Sequence, residues 1–432
     1  MSLESSAATG SAMKVLAIAD SDSYIKWGAS VLERMPADWH CSIVVIATPA
    51  APSTSQLASA LAGTSFAPQS VPLLLLSDLA DRVAVERPDV VLLSVRGPVV
   101  RVLIRTIVGA VLKRPVIVSG LPGISIPASR KALYYRAQVD YFLLHSKREI
   151  RDFAALAQQM AIEQEFGLGR LPFLPELRPE HAGGGDIVFA AQAKVPRQLE
   201  DRKRMVAWLI ETAVRNPEYR VVVKLRATAG EQQTHSEKYP FSELISSRRD
   251  VPDNLVLSTG SMAAALDTAA GLVTVSSTAA IEAAALGVPV LVLEDFGVSG
   301  DLINVVFEGS GLLGNSHALC AAEFKRPEES WLDDNYFHSP LDDDWIEGIR
   351  SRAVAREIDM VPLRPQYRGS FGGALRLIWD RKRALGRYDT SIAGMVALAI
   401  GTPARWMVLA LRRPMQMVRS RAVAEPERID AP

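Results

Sequence analysis

Three consecutive hydroxyl residues, Ser276-Ser277-Thr278, follow an apolar run and directly precede an alanine-rich stretch in the second half of the 432-residue chain. A serine or threonine in this place can cap a helix whose first-turn amides lack partners within the helix. The partial positive charge of a helix N-terminus suits a phosphate group. Glu282 follows one turn later, where its carboxylate can accept hydrogen bonds from ribose or sugar hydroxyls. The pattern predicts a nucleotide-binding loop, and an ordinary helix cap is the alternative.

Polar side chains also follow other apolar runs in this half of the chain. Lys224 and Arg226 end the run that begins at Val221, and His235 lies in the polar loop after it. An arginine can bind a phosphate with two parallel hydrogen bonds, while charges at strand ends are often only solvated. Gln192 and Lys194 follow the first apolar run of this half. We expect these side chains beside the serines, at the carboxyl edge of a parallel sheet.

Runs of strand length alternate with stretches of helical length in both halves, which is typical of α/β proteins with doubly wound parallel sheets. The first-half strands are predicted at Val15–Ala19, Ser42–Ala47, Leu73–Leu76, Val90–Ser94, Val116–Ser119 and Tyr141–Leu144, with helices that include Ile25–Met35 and Val99–Leu112. The second-half strands are predicted at Asp186–Ala191, Arg220–Leu225, Leu255–Ser258, Gly271–Val275 and Val288–Leu293, with helices at Leu199–Arg215, Met262–Ala269 and Ala279–Leu286.

The alternation indicates two Rossmann-like domains that face a cleft. Between them, residues 166–185 contain several prolines and glycines, which favours a linker. The predicted divisions are a disordered tail at 1–13, an acceptor domain at 14–165, the linker at 166–185, a donor domain at 186–345, and a helical, basic and apolar tail at 346–432.

The segment Leu272–Glu294, with its pattern Ser-Ser-Thr-x3-Glu-Ala-x3-Gly-x-Pro-Val, resembles the donor-site helix of GT-B glycosyltransferases. It is closest to the polysialyltransferase-like, Kdo-transferase-like and glycerophosphotransferase groups, which act on capsule and cell-wall polymers. In related sialyltransferases a Ser/Thr pair at this place holds the phosphate of CMP. Leu225-Arg226 departs from the His-Pro that these relatives have after the lysine. The whole chain also resembles an actinobacterial group of glycosyltransferase-like proteins.

The GT-B resemblance places the loop after the first strand beside the acceptor. An inverting transferase needs a group that takes the proton from the attacking hydroxyl, and Asp20 and Asp22 are the carboxylates at that strand end. Helix capping is the alternative role for Asp22. Further acceptor-side positions are predicted where later first-half strands end, and these are Arg96, Gly97, Gly120 and His145.

The sequence predicts no resident cofactor and no metal site. Asp333-Asp334 and Asp342-Asp343-Asp344 lie in a polar stretch and are interpreted as solvated loop charges rather than metal ligands. Cys41 and Cys320 are the two cysteines, and they lack zinc-type spacing. The counts of Lys+Arg and Asp+Glu are both 48, so net charge does not indicate a polyanionic partner, and no nucleic acid is expected. We expect positive side chains and a helix dipole to stabilise the leaving nucleotide.

The basic tail predicts contact with a membrane. Residues 376–421 carry ten Arg or Lys against two Asp, and Ile392–Leu411 is almost wholly apolar, although Pro403 and Arg405 interrupt it. Two short helices lying in the membrane interface are favoured, and packing on the protein surface is the alternative. No signal peptide is predicted from the N-terminal sequence. We expect a bacterial cytoplasmic protein that is peripheral on the inner face of the cell membrane.

The predicted function is transfer of a sugar from a nucleotide donor to a hydroxyl of a cell-envelope glycan or glycolipid, in polysaccharide biosynthesis. The Ser-Ser resemblance favours a CMP-linked acidic sugar as donor. Two other enzymes of the same fold stay open, a UDP-GlcNAc 2-epimerase-like protein and a polyol-phosphate transferase. A non-catalytic GT-B-like scaffold is the third alternative.

Overall fold

The computed structural model describes residues 12–67, 69–178, 180–181, 183–193, 195–225, 237–359, 362–366 and 373–403. Three predicted site residues, Lys194, Arg226 and His235, lie outside this description, as do residues 1–11 of the predicted N-terminal tail.

A seven-stranded parallel sheet forms the centre of the first domain, in the order β3-β2-β1-β4-β5-β6-β7. Its central strands are mostly apolar and almost wholly buried because helices cover both faces. All five residues of β4, for example, are buried. The strands are β1 (Lys14–Ala19), β2 (His40–Ile46), β3 (Leu73–Leu74), β4 (Val90–Ser94), β5 (Val116–Gly120), β6 (Tyr141–Leu144) and β7 (Phe166–Leu168). The helices are α1 (Asp22–Leu32), α2 (Thr54–Leu61), α3 (Leu76–Glu86), α4 (Gly97–Ala110), α5 (Arg130–Arg136) and α6 (Lys147–Gln159).

The second domain repeats this plan with a six-stranded parallel sheet, in the order β10-β9-β8-β11-β12-β13. Its strands are β8 (Asp186–Ala190), β9 (Arg220–Lys224), β10 (Leu255–Ser258), β11 (Ala269–Thr274), β12 (Val290–Leu293) and β13 (Leu313–Gly314). Its helices are α7 (Leu199–Arg215), α8 (Phe241–Ser246), α9 (Met262–Asp267), α10 (Ala279–Ala285), α11 (Ser316–Cys320) and α12 (Glu329–Asp334). The two-domain α/β prediction is confirmed.

The strand order reverses direction at one point in each sheet, between β1 and β4 and between β8 and β11. In both places two neighbouring strands are followed by connections that leave on opposite sides. Ligands of open parallel sheets bind in the crevice that this reversal creates at the carboxyl edge. The topology therefore marks two edges, one in each domain, as the places to look for a site.

The chain crosses between the domains twice. The first crossing follows β7, which pairs with β6 and shows that the predicted linker begins inside the first sheet. The second crossing leads to α13 (Trp345–Ile358), which packs on the first domain through Trp345 and Ile349. The next helix, α14 (Ala374–Leu385), packs against α4. Residues 392–403 are also helical and are called the tail helix below. Within the described part of the chain, none of the helices is both long enough and apolar enough to span a bilayer.

The aspartates between 333 and 344 make ion pairs or hydrogen bonds in addition to contacting solvent, since Asp333 and Asp342 are 60% and 39% exposed. Lys147 Nζ lies 2.9 Å from carboxylate oxygens of both Asp333 and Asp342. Asp334 accepts two hydrogen bonds from Arg151 at 2.6 and 2.7 Å. Further along, Asp343 accepts the Arg170 amide, and Asp344 accepts the Leu168 amide. These contacts hold the second crossing against α6 and the end of β7.

Candidate functional site

The carboxyl edge of the second sheet brings Gln192 and Ser276 together where the strand order reverses. Gln192 follows β8 and Ser276 follows β11, and these strands are neighbours. The Gln192 side-chain oxygen accepts hydrogen bonds from both the amide and the hydroxyl of Ser276, each at 3.1 Å. One strand connection therefore fixes the backbone of the other at the predicted phosphate-binding loop.

Ser277 lies one residue before Thr278, the N-cap residue of α10, and bonds the first amide of that helix. Its hydroxyl oxygen accepts the Ala279 amide at 3.2 Å, and its own amide donates to Thr274 Oγ1 at 3.1 Å. Because that hydroxyl oxygen acts as an acceptor, its proton can still be donated to a ligand. Thr278 makes no side-chain cap bond. Ser277 and Thr278 are both partly exposed, and a Cβ placed on Gly123 of the first domain would lie 3.6 Å from Thr278 Cγ2. The loop thus faces the other domain.

Lys224 ends β9, the strand next to β8 on the side away from β11. Only 5% of the residue is exposed, and its ammonium group donates to the Leu225 carbonyl oxygen at 2.7 Å. No carboxylate of the described residues lies within ion-pair distance of it. Burial lowers the pKa of Lys224. A buried cation without an anion is costly, which is typical of a group that receives its counter-ion from a ligand.

Glu282 lies on α10 and faces Lys26 of the first-domain helix α1. Burial raises the pKa of the Glu282 carboxyl, and the charge of Lys26 acts in the opposite direction. The Lys26 ammonium group lies 4.5 Å from the centre of the Phe173 ring, which belongs to the first crossing. Glu282 is therefore a half-buried carboxyl at the boundary between the domains. The influence of the Lys26 charge on Glu282 could not be read from the sequence, because the two residues are far apart along the chain.

Arg202 shapes the loop that carries Gln192. Its guanidinium is buried and donates to the carbonyl oxygens of Gln192 and Ala193, both at 2.8 Å, and to that of Pro196 at 2.8 Å. The sequence interpretation did not include this residue. A signal was present, because Arg202 occupies the same helical stripe as the buried Val206 and other apolar residues of α7.

At the corresponding edge of the first sheet, Asp20 and Arg96 form a buried hydrogen-bonded pair. Asp20 follows β1 and is fully buried, while Arg96 follows β4. One Asp20 oxygen accepts the Arg96 amide at 3.0 Å, and the other accepts Nε at 2.7 Å. The Thr48 hydroxyl accepts a terminal guanidinium nitrogen at 3.1 Å. Burial raises the pKa of Asp20, and Arg96 acts against that rise. The pair leaves the Arg96 side chain 38% exposed at the edge.

Asp22 is the more accessible of the two predicted carboxylates. It is the first residue of α1, is partly exposed, and contacts the Ser23 hydroxyl at a long 3.4 Å. The cap position before it is held by Ser21, which makes no side-chain cap bond.

Three other predicted acceptor-side residues are packed by first-domain side chains. His145 is buried, and its ring nitrogens bond the Trp27 indole and the Gly169 carbonyl oxygen, both at 2.7 Å. Burial lowers the pKa of His145, so the ring is neutral. A Cβ on Gly120 would lie 2.2 Å from Trp27, and one on Gly97 would lie 2.5 Å from a carbon of the Tyr135 ring. The two glycines leave space that aromatic rings of the protein occupy. Sequence spacing alone could not show whether that space holds a ring or a ligand.

The predicted absence of a metal and of a resident cofactor stays a prediction. Among the residues that the structure describes, no group of three or more His, Cys, Asp or Glu side chains is arranged to hold a metal ion. The groups available at the second-domain edge are hydroxyls, an amide side chain and a cation, which are donors suited to phosphate oxygens.

Sequence comparison places these residues in a family. The model of the family described as "Putative glycosyltransferase (DUF6716)" matches residues 15–352, which include both sheets and both edges. The chain belongs to this family. No curated protein matches it in sequence. Membership supports the GT-B resemblance in part, since it leaves the polysialyltransferase-like and Kdo-transferase-like specificity undecided.

Solved structures similar to this DUF6716 member share its fold at low sequence identity. The UDP co-structure of MnaA from S. aureus is 12% identical, with a TM-score of 0.51, and the match covers 83% of this chain and all of that one. A protein from Listeria monocytogenes that is named as a UDP-N-acetylglucosamine 2-epimerase is 14% identical, also with a TM-score of 0.51. That match covers 83% of this chain and 99% of that one. At these identities the similarity establishes the GT-B-like fold alone.

Proposed function

We propose that this protein transfers a sugar from a nucleotide donor to a hydroxyl acceptor, with the donor phosphate held at the carboxyl edge of the second sheet. The observation that carries the proposal is the Gln192–Ser276 pair, which organises the loop where β8 and β11 diverge. A buried Lys224 at the end of β9, with no carboxylate of the described residues within ion-pair distance, adds positive charge at the same edge. Family membership points to the same reaction class.

Each donor-side group then has a separate task. The Ser277 and Thr278 hydroxyls donate to phosphate oxygens, while Lys224 offsets their charge. As the bond from the anomeric carbon to the phosphate oxygen breaks, these fixed donors stabilise the negative charge that develops on the leaving nucleotide. Glu282 accepts hydrogen bonds from ribose or sugar hydroxyls. Lys194, Arg226 and His235 stay predicted contributors to this side, in positions outside the described residues.

On the acceptor side, the geometry favours Asp22 over Asp20 as the proton acceptor. Both oxygens of Asp20 already accept hydrogen bonds from Arg96, so Asp20 serves better to orient that guanidinium. Asp22 lies two residues further along and is partly exposed. It takes the proton while the acceptor oxygen forms its bond to the anomeric carbon. Arg96 then presents its exposed guanidinium face to the acceptor.

The donor proposal is tested by thermal shift with CMP, CDP, UDP and GDP. A ligand at a hundredfold excess over its Kd stabilises the native state by about 2.7 kcal/mol. The Ser-Ser resemblance favours CMP or CDP as the nucleotide with the largest shift. Ser277→Ala combined with Arg226→Ala is expected to abolish that shift. Ser261→Ala is a matched control, since Ser261 Oγ likewise accepts a backbone amide at the start of a helix, at 3.1 Å from the Ala264 amide. Equal shifts in the double variant and the control would refute the donor assignment.

A UDP-GlcNAc 2-epimerase reaction is the second candidate, because MnaA was solved with UDP and two solved structures of comparable similarity have epimerase names. Incubation with UDP-GlcNAc separates the two reactions. An epimerase interconverts the free nucleotide sugars without any acceptor, whereas a transferase releases nucleotide only when an acceptor is present. A polyol-phosphate transferase would instead release nucleotide from a polyol-linked donor. Absence of a shift with every nucleotide would favour the non-catalytic scaffold.

We further propose that the tail helix contacts the inner face of an anionic membrane, where a cell-envelope acceptor would lie. Residues 392–403 contain no charged side chain, and Ile392, Met395 and Ile400 are 75%, 51% and 54% exposed. Their apolar surface lies beside the helix α14. That helix has three consecutive basic residues near its end, Arg381, Lys382 and Arg383. An apolar helix face near arginines suits the boundary between acyl chains and anionic headgroups.

Co-sedimentation with vesicles tests this contact. The protein is expected to bind vesicles that contain phosphatidylglycerol more tightly than vesicles of phosphatidylcholine alone. Ile392→Asp with Met395→Asp should remove the binding, while Leu112→Asp, at a fully exposed leucine of the first domain, should leave it unchanged. Unchanged binding in the double variant, or a concentration-dependent dimer that the double variant dissociates, would refute membrane contact by this helix.

A further inference from the structure

A cavity of about 700 Å³ lies between the two chain crossings, apart from the donor loop. One wall is the first crossing after β7, with Arg170, Leu171 and Leu174. The opposite wall is the second crossing, with Phe337, His338 and the start of α13. Arg34, just beyond the end of α1, lines a third side. The space is large enough for a ligand of small-molecule size.

Two arginines, Arg34 and Arg170, line the cavity, and one carboxylate, that of Asp343, lies close to them. Arg34 approaches the Arg170 carbonyl oxygen at 3.5 Å, and its half-buried guanidinium lies beside that of Arg170. Arg170 Nε is buried, has no hydrogen-bond acceptor among the described residues, and lies 3.7 Å from Asp343 Oδ2. The other Asp343 oxygen already accepts from the Arg170 amide at 3.0 Å and contacts His338 Nε2 at 2.9 Å.

The charge balance in the cavity leaves room for an additional anion. Burial and the neighbouring Arg170 both lower the pKa of Arg34, and Asp343 only partly opposes them. Glu176 also lines the cavity, but it is exposed to solvent, where its charge is screened. Two guanidiniums that face one shared carboxylate are therefore short of negative charge. An oxyanion would accept their unused donors in the fork geometry that arginine favours.

The rest of the wall is apolar. Leu171 is buried at 1% exposure, and Leu174 and Ile346 are partly buried beside the cavity. Trp345 adds an aromatic surface from the first turn of α13. Apolar walls with a few convergent polar groups are typical of sites that bind a small organic molecule. The ligand chemistry that fits both halves is an anion on an apolar body.

We propose that this cavity binds a phosphate or carboxylate group carried on an apolar body, as a second ligand site separate from the nucleotide site. Arg34 and Arg170 hold the anion, and Leu171, Leu174 and Trp345 contact the apolar part. A membrane-derived amphiphile and a compact soluble phosphate ester share this chemistry. Because both crossings line the cavity, the ligand touches both segments that connect the domains.

The test uses isothermal titration calorimetry on the full chain with the Lys224→Met substitution, which under the proposed function is expected to weaken phosphate binding at the donor edge. Phenyl phosphate represents a compact ester, decyl phosphate an amphiphile, inorganic phosphate the anion alone and phenol the ring alone. We expect at least one of the two esters to bind at least tenfold more tightly than inorganic phosphate and phenol. A preference for decyl over phenyl phosphate assigns an amphiphile, and the reverse preference assigns a compact ester.

Three variants locate the binding. Arg34→Gln is expected to weaken the preferred ester at least tenfold, and Arg34→Lys should restore part of that loss. Leu174→Trp, which fills the apolar half, should prevent ester binding while the apo melting temperature stays close to that of the parent. Arg215→Gln is the matched control, because Arg215 pairs with Glu211 on the surface of α7. Ester binding that Arg34→Gln and Leu174→Trp leave unchanged, or phenol binding as tight as phenyl phosphate, would overturn the proposal. Either result leaves the nucleotide site untouched.

Discussion

Replacing Lys224 by methionine separates a ligand-binding role from a structural one. Lys224 is 5% exposed and donates to one backbone carbonyl oxygen, without a carboxylate partner among the described residues. Its ammonium group is therefore largely desolvated, with one backbone carbonyl oxygen as its partner among the described residues. Methionine keeps the length of the side chain and removes the charge. We expect Lys224→Met to raise the free energy of unfolding at pH 7.5 while it weakens nucleotide binding.

The sign of the stability effect follows from the pKa. Burial lowers the folded-state pKa of Lys224 below its ordinary value of 10.5. The folded state then disfavours the charged form, and stability is lost as the pH falls through the folded-state pKa. Because pH 7.5 lies below the ordinary lysine pKa, this cost is present there, and its removal stabilises the variant. The difference between variant and wild type should shrink above about pH 10.5, where the unfolded lysine also loses its proton.

The magnitude of the binding effect follows from the bond that is lost. A hydrogen bond to a charged group contributes about 1.5–3 kcal/mol. At about 1.4 kcal/mol for each factor of ten, nucleotide Kd should rise roughly tenfold to a hundredfold. Urea denaturation measures stability, and isothermal titration calorimetry measures binding. A variant that is less stable than wild type and binds nucleotide equally well would refute the reasoning, because Lys224 would then be a structural residue.

Three further predictions concern the edges of the two sheets. Glu282→Gln should stabilise the protein at neutral pH, because burial raises the folded-state pKa of Glu282 and ionisation of the buried carboxyl is therefore costly. Below the ordinary glutamate pKa of 4.5 the variant should have no advantage. Melting curves from pH 4 to 8 in which variant and wild type differ equally at every pH would contradict this. Asp20→Asn should lower the free energy of unfolding by about 1–3 kcal/mol, since it weakens the hydrogen bonds to Arg96. The same variant should raise the KM for acceptor and leave the nucleotide Kd unchanged. An altered nucleotide Kd would argue against a positioning role. Trp27→Phe should lower the free energy of unfolding, measured by urea denaturation, by about 1–3 kcal/mol, because His145 Nε2 loses its hydrogen-bond donor. The nucleotide Kd should again stay unchanged. A drop in nucleotide affinity would place His145 in the binding site.

Periodicity and turn chemistry were enough to predict most of the sheet strands. Val90–Ser94, Tyr141–Leu144 and Leu255–Ser258 have the predicted bounds, because each is an apolar run between polar or turn residues. The short strand β7 was missed because Phe166–Leu168 lies in a segment rich in glycine and proline, and only pairing with β6 makes it a strand. Tertiary context overrides local composition in such cases.

The positions of the predicted donor-edge residues could be read from the sequence better than those of the acceptor-edge residues, and the roles of both sets stay predictions. Hydroxyls that follow a strand and open a helix have a local signal, and Ser276, Ser277 and Lys224 do lie at the carboxyl edge of one sheet, after β11 and at the end of β9, with β8 between them. The bond that joins Gln192 to Ser276 spans two strands and has no local signal. On the acceptor side, a glycine or histidine after a strand has the same sequence context whether it faces a ligand or a neighbouring ring. Gly120 and His145 face Trp27, which only the packing of α1 on the sheet decides.

Hydrogen-exchange mass spectrometry with the most strongly stabilising nucleotide tests most directly where that nucleotide binds. Bound phosphate should slow exchange of backbone amides in the loops after β8 and β11, within residues 191–193 and 276–282, and leave the loop after β1 unchanged. Protection confined to the first domain would contradict a phosphate site at the carboxyl edge of the second sheet. So would a nucleotide at saturating concentration that slows the exchange of no amide in these two loops.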